Sequence, residues 1–231
     1  MSAAPSFVLS LGGSLVASPV PQVEYVQKIA AMLLRLRADG IVGHVVIGGG
    51  TVARTYINAA RAINPQVSDA ECDELGIICT RLNSKLLLSA LGTAARQDIP
   101  LDTTPDAVRP GLITVMGGTF PGQTTDAVSA KLARAIGCPR MINATNVDGV
   151  YPADPRKNPG LQKYQRISHD RLIEIVGTEH RAGASFVIDP IAARIFKESN
   201  ITGVVINGQD IENLERCLRG QEFNGTIIGN Q

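Results

Sequence analysis

Glycine clusters recur directly after short aliphatic runs in this sequence, and this pattern constrains the fold more than any other feature. The clusters are Gly12-Gly13 after residues 7–11, Gly48–Gly50 after residues 45–47 and Gly117-Gly118 after residues 112–116. Glycine between a strand and a helix lets the backbone approach a ligand closely, and the N-terminus of a helix adds partial positive charge. Several such turns in one chain predict a site that holds more than one phosphate group.

The spacing of apolar residues predicts strands that alternate with helices. In the first part of the chain, strands are predicted at 7–11, 45–47, 112–116 and 140–144, and helices at 22–37, 52–63, 73–90 and 127–136. This order predicts an α/β fold, a three-layer αβα sandwich with a mostly parallel central sheet. Because the carboxyl ends of parallel strands meet at one edge, we expect the glycine clusters and Thr145-Asn146 to converge there.

The sequence changes character after Tyr151. A polar, proline-rich segment at 152–163 predicts a surface loop over the site. The later elements are predicted as a helix at 168–176 capped by Ser168, a helix at 191–199, a strand at 203–207, a helix at 211–218 and a closing edge strand at 225–228. We expect a single domain over residues 1–231, with an N-terminal lobe at 1–139 and a C-terminal lobe at 140–231.

Composition and missing motifs exclude several classes of protein. The formal net charge of +1 argues against a nucleic-acid coat protein and against a polybasic membrane binder. The N-terminal apolar stretch is too short for a signal sequence or a membrane span, and four cysteines without C-x-x-C spacing indicate reduced thiols in a cytoplasmic protein. P-loop, G-x-G-x-x-G and H-E-x-x-H motifs are missing, and no set of protein ligands for a metal is predicted. The scattered His44, His169 and His180 are interpreted as surface or loop residues.

Five longer motifs together resemble one known family. They are SLGGS at 10–14, GGGxxAR at 48–54, DELGIxxTRLN at 73–83, GGTFPGQTTDAVSA at 117–130 and ATNVDGVYPADP at 144–155. This set resembles the amino acid kinase superfamily and, within it, is similar to the archaeal-type uridylate kinases, which make UDP from UMP and ATP. The resemblance implies the fold predicted above, ATP and UMP as small-molecule partners, and magnesium bound with ATP.

The resemblance also implies which residues bind each nucleotide. The residues implied for ATP are Gly12, Gly13, Ser14, Gly50, Arg54, Thr145, Asn146, Tyr151 and Asp154. The residues implied for UMP are Gly49, Asp73, Thr119, Phe120, Pro121, Gly122, Gln123, Thr124 and Thr125. Within these sets, the first glycine turn would hold the transferring phosphoryl group, and Asp73 would accept hydrogen bonds from the UMP ribose.

Arg54, Asp126 and Asp189 are the implied catalytic residues. Arg54 follows the triple glycine by one helical turn, so its guanidinium can reach back toward phosphates, although an exposed helix arginine is the alternative. Asp126 would orient cationic groups around the transferring phosphoryl, and Asp189 is either a second such residue or a helix cap. Asp73 is likewise either a ribose ligand or a charge near a helix N-terminus, and Thr124 and Thr125 also suit helix caps.

The chain departs from the superfamily at its first strand, where many members carry a lysine and this sequence has Ser10. Neutralisation of the phosphates must then come from another cation. Arg54, magnesium, Lys157 and Lys163 are the candidates, and the sequence does not choose among them.

Two alternative functions remain open from the sequence. One is a kinase of the same fold acting on acetylglutamate, carbamate, isopentenyl phosphate or another nucleoside monophosphate. The other is a non-catalytic nucleotide-binding regulator, for which the missing lysine is the main argument. The resemblance further implies a homo-oligomer, a hexamer built as a trimer of dimers. The helix at 22–37 is either part of a dimer seam or ordinary core packing.

Overall fold

The computed structural model describes residues 7–153, 158, 160–177 and 187–229. In chain order the elements are β1 (Phe7–Leu11), α1 (Gly13–Val16), α2 (Val23–Ala38), β2 (Gly43–Ile47), α3 (Gly50–Ile63), α4 (Asp69–Leu91), β3 (Thr114–Met116), α5 (Thr125–Ala135), β4 (Arg140–Thr145), β5 (Arg166–Ile167), α6 (His169–Val176), α7 (Pro190–Ser199), β6 (Thr202–Asn207), α8 (Ile211–Leu218) and β7 (Thr226–Ile228). Single 3₁₀ turns occur at Gly92–Ala94 and Pro105–Ala107.

The seven strands form one sheet in the order β3-β2-β1-β4-β6-β7-β5. All neighbouring pairs are parallel except β6 and β7, which are antiparallel. In the central register, Leu9 lies opposite Val45 on one side and Ile142 on the other. Every residue of β1, β2 and β3 is buried, as expected for parallel strands covered on both faces.

Alternate residues of the central strands enter two separate hydrophobic clusters. Phe7, Leu9 and Leu11 pack in one cluster with apolar side chains of α2, α4 and α8. Val8 and Val46 point to the opposite face and pack with α5, α6 and α7. Helices therefore cover both faces of the sheet, and the predicted three-layer αβα sandwich is confirmed.

The order of the last strands differs from the prediction. The segment at 225–228 was expected to be an edge strand, but β7 lies between β6 and β5, so that prediction is wrong. The edge is β5, which has two residues and therefore carries no periodicity that sequence reasoning can detect.

Helix α4 begins four residues earlier than the sequence pattern predicted. Ser68 is its N-cap: the Ser68 hydroxyl accepts the Glu71 N–H, and the Glu71 carboxylate accepts the Ser68 N–H. This reciprocal pair is a capping box, which satisfies two backbone donors that a helix start otherwise leaves free. Asp73 consequently lies inside the helix rather than in front of it.

The apolar side of α2 belongs to the core of this chain. Val26, Ile29 and Leu33 are buried against the sheet and its covering helices. Ordinary core packing, one of the two readings of this helix, therefore accounts for its apolar stripe. No helix within the described residues combines the length and the apolar content that a bilayer crossing requires.

Two histidines lie in the interior, so their interpretation as surface or loop residues is wrong; His180 falls outside the described residues. His44 sits in β2 and its Nδ1 accepts the Thr114 N–H at 3.3 Å, while burial lowers its pKa to about 4. His169, in α6, is also buried, and its Nε2 is 2.9 Å from the Ile201 carbonyl. All four cysteines are buried and none forms a disulfide, in agreement with the predicted reduced thiols.

We expect Ser68→Ala to lower the free energy of unfolding by about 1 kcal/mol, because it removes the side-chain acceptor of the capping box. Urea denaturation of both proteins measures this difference. Ser89→Ala is the matched control on the same helix: the exposed Ser89 hydroxyl donates to the Lys85 carbonyl, a bond that adds little to helix stability. An equal loss of stability in the two variants would contradict the role of Ser68.

Candidate active site

The glycine turns after β1 and β2 meet backbone to backbone. A Cβ atom added to Gly13 would lie 2.2 Å from the Gly48 carbonyl oxygen and 2.3 Å from the Gly50 nitrogen. Gly50 has φ of +64°, a conformation that favours glycine, and its added Cβ would meet the Gly13 carbonyl carbon at 2.4 Å. These residues are therefore glycine for a steric reason, and the result is two helix-starting turns in direct contact.

The other two clusters join the same edge of the sheet. Gly12 donates its N–H to the Ala144 carbonyl at 2.9 Å, which brings it beside Thr145 at the end of β4. A Cβ added to Gly48 would come within 3.6 Å of the Thr125 Oγ1, so the start of α5 adjoins the β2 turn. Because β3 pairs in parallel with β2, Met116 opposite Val46, Gly117-Gly118 follows at the same edge. The expected convergence of these segments is confirmed.

Arg54 reaches back toward the glycine turns as its position in α3 predicted. Its Nη2 donates to the Ser14 Oγ at 3.2 Å and to the Thr51 Oγ1 at 3.1 Å. The side chain is otherwise exposed. A permanently charged planar group thus lies next to the N-terminal turns of α1 and α3, where backbone N–H groups also gather.

Asp126 lies in the first turn of α5, between the ends of β1 and β4. Its Oδ1 accepts the Ser10 hydroxyl at 2.8 Å, and the Asn143 Nδ2 is 3.4 Å from its Oδ2. Removal from water raises the pKa of Asp126 from 3.8 to about 6; the Ser10 hydrogen bond opposes this rise and the negative charge of Asp189 adds to it. Ser10 therefore occupies the position of the missing lysine and contacts this carboxylate directly.

Asp189 is a helix cap, which confirms one of the two roles that the sequence left open for it, and its role around the transferring phosphoryl group stays a prediction. It is buried, and its Oδ1 accepts the Ile191 N–H at 2.7 Å as the N-cap of α7. It is also close enough to Asp126 for its backbone N–H to bond that carboxylate. Asn143 links the same region to β4, because its Nδ2 donates to the Val187 carbonyl at 2.9 Å.

The predicted acceptor residues come together on the other side of the glycine turns. The Asp73 Oδ2 accepts the Gly122 N–H at 2.6 Å, which ties α4 to the loop at 119–125. The Thr124 Oγ1 accepts the Ala127 N–H at 3.2 Å, so the predicted capping of α5 by Thr124 is confirmed. Thr119 is buried, whereas Phe120 is 56% exposed at the tip of the loop, next to Pro121, with Gln123 following.

The predicted ATP residues are only partly brought together. Ser14 and Asn146 line one open cleft of about 330 Å³, together with Ser18, Gln22, Tyr25 and Gln209. The Tyr151 hydroxyl donates to the Asp148 Oδ1 at 2.8 Å, so it bonds its own loop. Asp154, predicted to bind the ATP ribose or base, lies outside the described residues.

The loop at 146–151 is anchored to the C-terminal part of the sheet. Lys163 forms an ion pair with Asp148 at 3.0 Å and also contacts Asn224. The Thr226 Oγ1 accepts the Val150 N–H at 2.9 Å, and a Cβ on Gly149 would lie 2.6 Å from that oxygen. Of the two lysines considered as replacement cations, Lys163 is therefore engaged with a carboxylate, and Lys157 lies outside the described residues.

Sequence reasoning missed four polar residues on one face of α4. Asn83 donates through Nδ2 to the Gly48 carbonyl at 2.9 Å, and the Thr80 Oγ1 accepts the Gly118 N–H at 2.7 Å. Arg81 donates to the Gly118 and Thr119 carbonyls at 3.3 Å, and the Ser84 Oγ to the Met116 carbonyl at 2.8 Å. Their i, i+3 and i, i+4 spacing within the TRLNS stretch was the available signal.

The carboxylates of the site suit a magnesium ion shared with a substrate better than a resident metal. The described residues contain no group of three or more His, Cys, Asp or Glu side chains that could hold a metal ion. Magnesium, however, is usually bound by one or two carboxylates together with phosphate oxygens and water. Asp126 fits this pattern, since its described partners are a hydroxyl, an amide and a backbone N–H rather than a cationic side chain.

We expect Asp126→Asn to stabilise the folded protein relative to the wild type at neutral pH but not at acidic pH. Because folding raises the pKa of Asp126, its ionised form lowers the free energy of unfolding above about pH 6. This penalty vanishes below pH 3.8, where the carboxyl group is protonated in the folded and in the unfolded protein. Between about pH 4.5 and 7.5 the difference in free energy of unfolding should grow in favour of the variant, by roughly 1–3 kcal/mol.

Urea denaturation at the two pH values measures the change. Glu74→Gln, which removes an exposed carboxylate from α4, controls for net charge and should show no comparable pH-dependent gain. A difference between Asp126→Asn and wild type that stays constant with pH would contradict the assignment.

Comparison with known proteins agrees with this arrangement. The sequence matches the amino acid kinase family over residues 5–207. It is 39% identical over 226 residues to the uridylate kinase of Methanoculleus marisnigri, covering 96% of this chain and 94% of that protein. It is 42% identical over 224 residues to the uridylate kinase of Archaeoglobus fulgidus, covering 96% and 98%. The crystal structure of the Archaeoglobus fulgidus uridylate kinase superposes with a TM-score of 0.84, at 41% identity and with 96% and 99% of the two chains covered. The chain therefore belongs to the amino acid kinase family.

Proposed function

We propose that this protein is a UMP kinase, which transfers the γ-phosphoryl group of ATP to UMP and gives UDP and ADP in pyrimidine nucleotide biosynthesis. The observation that carries the proposal is the direct contact between the Gly13 and Gly48–Gly50 turns, with Arg54 beside them. Two phosphate-binding turns in contact suit two phosphate groups that must approach each other. Relatives that bear the name uridylate kinase over nearly the whole chain support the choice of nucleotide.

The acceptor is assigned to the N-terminal part of the chain, residues 1–139, and the donor mainly to residues 140–231. UMP would lie between Gly49, Asp73 and the loop at 119–125. The hydrogen bond between Asp73 and Gly122 joins α4 to this loop. Asp73 has a second carboxylate oxygen, which would accept a ribose hydroxyl while Oδ2 retains the loop. Thr145, Asn146, Tyr151 and Asp154 would lie along the base and ribose of ATP, with Gly12, Gly13, Ser14 and Gly50 at its phosphates.

Catalysis by this arrangement rests on positioning and on neutralisation of charge. The UMP phosphate is already ionised at neutral pH, so its oxygen attacks in line without a strong general base. Backbone N–H groups of the glycine turns and the guanidinium of Arg54 would stabilise the charge that spreads over the transferring phosphoryl. Arg54 thereby takes the place of the lysine that Ser10 replaces, and Asp126 with Asp189 would fix the cations around the phosphates.

A magnesium requirement is part of the proposal. Asp126 is the carboxylate that would hold the ion, because its described partners include no cationic side chain. When bound with ATP, magnesium would supply positive charge to the phosphate oxygens.

Self-association and a cytoplasmic location complete the proposal. Large apolar side chains are exposed on α3 and α4, namely Tyr56, Ile63, Ile78 and Leu82. Such side chains support a homo-oligomer, and we infer the trimer of dimers usual in this family. The four buried, free cysteines support a reducing compartment.

The acceptor is tested by measuring ADP release with magnesium and ATP across a panel of acceptors. We expect turnover with UMP to exceed that with CMP, AMP, acetylglutamate, carbamate and isopentenyl phosphate, because Asp73 and the loop at 119–125, which a hydrogen bond joins, would place polar groups around UMP. A faster reaction with another acceptor would retain the kinase and refute UMP as its substrate. Binding of ATP without turnover of any acceptor would instead favour the non-catalytic regulator.

We expect Asp73→Asn to raise KM for UMP by about tenfold and KM for ATP by less than twofold, since one charge-assisted hydrogen bond to the ribose is lost. Steady-state kinetics with each substrate varied in turn measures both constants. Glu74→Gln is the matched control, because it removes the adjacent exposed carboxylate of the same helix. An equal rise of the two KM values would place Asp73 outside the acceptor site.

A further inference from the structure

Helix α4 bonds both of the acceptor-side glycine turns through side chains to which no contact with a nucleotide is assigned. Asn83 is 2% exposed, and its Nδ2 is 2.9 Å from the Gly48 carbonyl and 3.4 Å from the Gly49 carbonyl. Thr80 is 6% exposed, and its Oγ1 accepts the Gly118 N–H at 2.7 Å while donating to the Ile77 carbonyl at 2.6 Å. Each side chain therefore bonds a turn that follows a different strand, β2 for Asn83 and β3 for Thr80.

These bonds fix the direction of the peptide groups in the turns. A carbonyl that accepts from Asn83 points toward the helix, so that the N–H groups of the same turn face away from it. The N–H of Gly118 is used by Thr80 and is not available to a ligand, which determines how the chain enters the loop at 119–125. The β3 turn has no room for a side chain that could make such bonds itself. It lies so close to α4 that a Cβ added to Gly117 would be 2.4 Å from the Thr80 Oγ1.

Helix α4 is also a rigid connection between these bonds. Thr80 and Asn83 are three residues apart and share one face, about 5–6 Å from each other at Cβ in such a pair. Asp73, two turns earlier on the same helix, bonds Gly122 further along the loop. One helix thus holds the β2 turn, the β3 turn and the loop in fixed positions relative to one another.

We propose that Asn83 and Thr80 are positioning residues for the acceptor, which hold the β2 and β3 turns at the mutual distance that in-line attack requires. This inference rests on the proposed function. It assigns no contact with substrate to either residue. A small displacement of either turn would misalign the acceptor oxygen, and misplacement by about 1 Å costs on the order of a hundredfold in rate.

Thr80→Val tests the β3 turn with almost no change in shape, because it replaces the hydroxyl that holds Gly118 by a methyl group. We expect kcat/KM for UMP to fall about tenfold or more, and KM for ATP to change by less than twofold. Thr114→Val is the matched control: its buried hydroxyl lies in β3, outside the turns, and donates to the Ala107 carbonyl at 3.4 Å. It should lower stability and leave both kinetic constants within about twofold of wild type.

Asn83→Asp tests the β2 turn through a pH profile that a purely structural role would not produce. The ionised carboxylate cannot donate to the Gly48 carbonyl, whereas the protonated form can, and burial raises the pKa of a carboxyl group. The ratio of variant to wild-type kcat/KM for UMP should therefore rise at least about threefold between pH 8 and pH 6. Taking the ratio removes the pH dependence of the wild type itself.

The outcomes separate this inference from the proposed function. Wild-type turnover with the acceptor panel tests the function, and the variants are assayed with whichever acceptor the wild type phosphorylates. Kinetic constants of Thr80→Val that match those of Thr114→Val, together with a flat Asn83→Asp ratio, would overturn the positioning role and leave the kinase intact. An equal rise of KM for ATP and for UMP would also overturn it. Inactivity of the wild type with every acceptor would refute both.

Discussion

The backbone contact between Gly13 and the Gly48–Gly50 turn sets the geometry of the remaining site. Neither turn could carry a side chain here, since an added Cβ on Gly13 or Gly50 would lie within 2.4 Å of the opposing main chain. Parallel pairing of β1 with β2 brings the ends of the two strands to the same level, Leu11 opposite Ile47. The helices that begin after these strands, α1 and α3, therefore present their N-termini side by side, and Arg54 has only to reach across one helical turn.

The charges of the site are arranged at a cost to the folded state. Asp126 is held out of water near the negative charge of Asp189, and its Oδ1 accepts the hydroxyl of the uncharged Ser10. Buried carboxylates that lack a cationic partner destabilise a protein, and they persist where a ligand cation offsets them. Under the proposed function, the positive charge at the phosphates would come from the exposed Arg54 and from ions that arrive with the substrate, because Ser10 supplies none beside Asp126.

Sequence reasoning recovered the sandwich, its parallel core and the edge where the turns converge, because strand periodicity and glycine position are local signals. It failed where the signal was short or non-local. The two residues of β5 carry no pattern, and the capping box of Ser68 was hidden by the stronger apolar pattern that begins later in α4. His44 is buried because a neutral imidazole accepts a backbone N–H in the sheet, and no local rule predicts that partner. The polar face of α4 escaped notice because its meaning depends on loops far away in the chain, as with Asn83 and Gly48.

The bond between Thr226 and Val150 joins the loop at 146–151 to a residue that is synthesised much later than the loop itself. Helix α4 bonds the turns at residues 48–50 and 117–122, and all the residues in these bonds have been made once residue 122 has left the ribosome. The loop at 146–151 waits for Thr226 and Asn224, about 75 residues later, or several seconds at ordinary rates of translation. On a ribosome-bound chain, the bonds that hold the turns at 48–50 and 117–122 can therefore form before the bonds that hold the loop at 146–151.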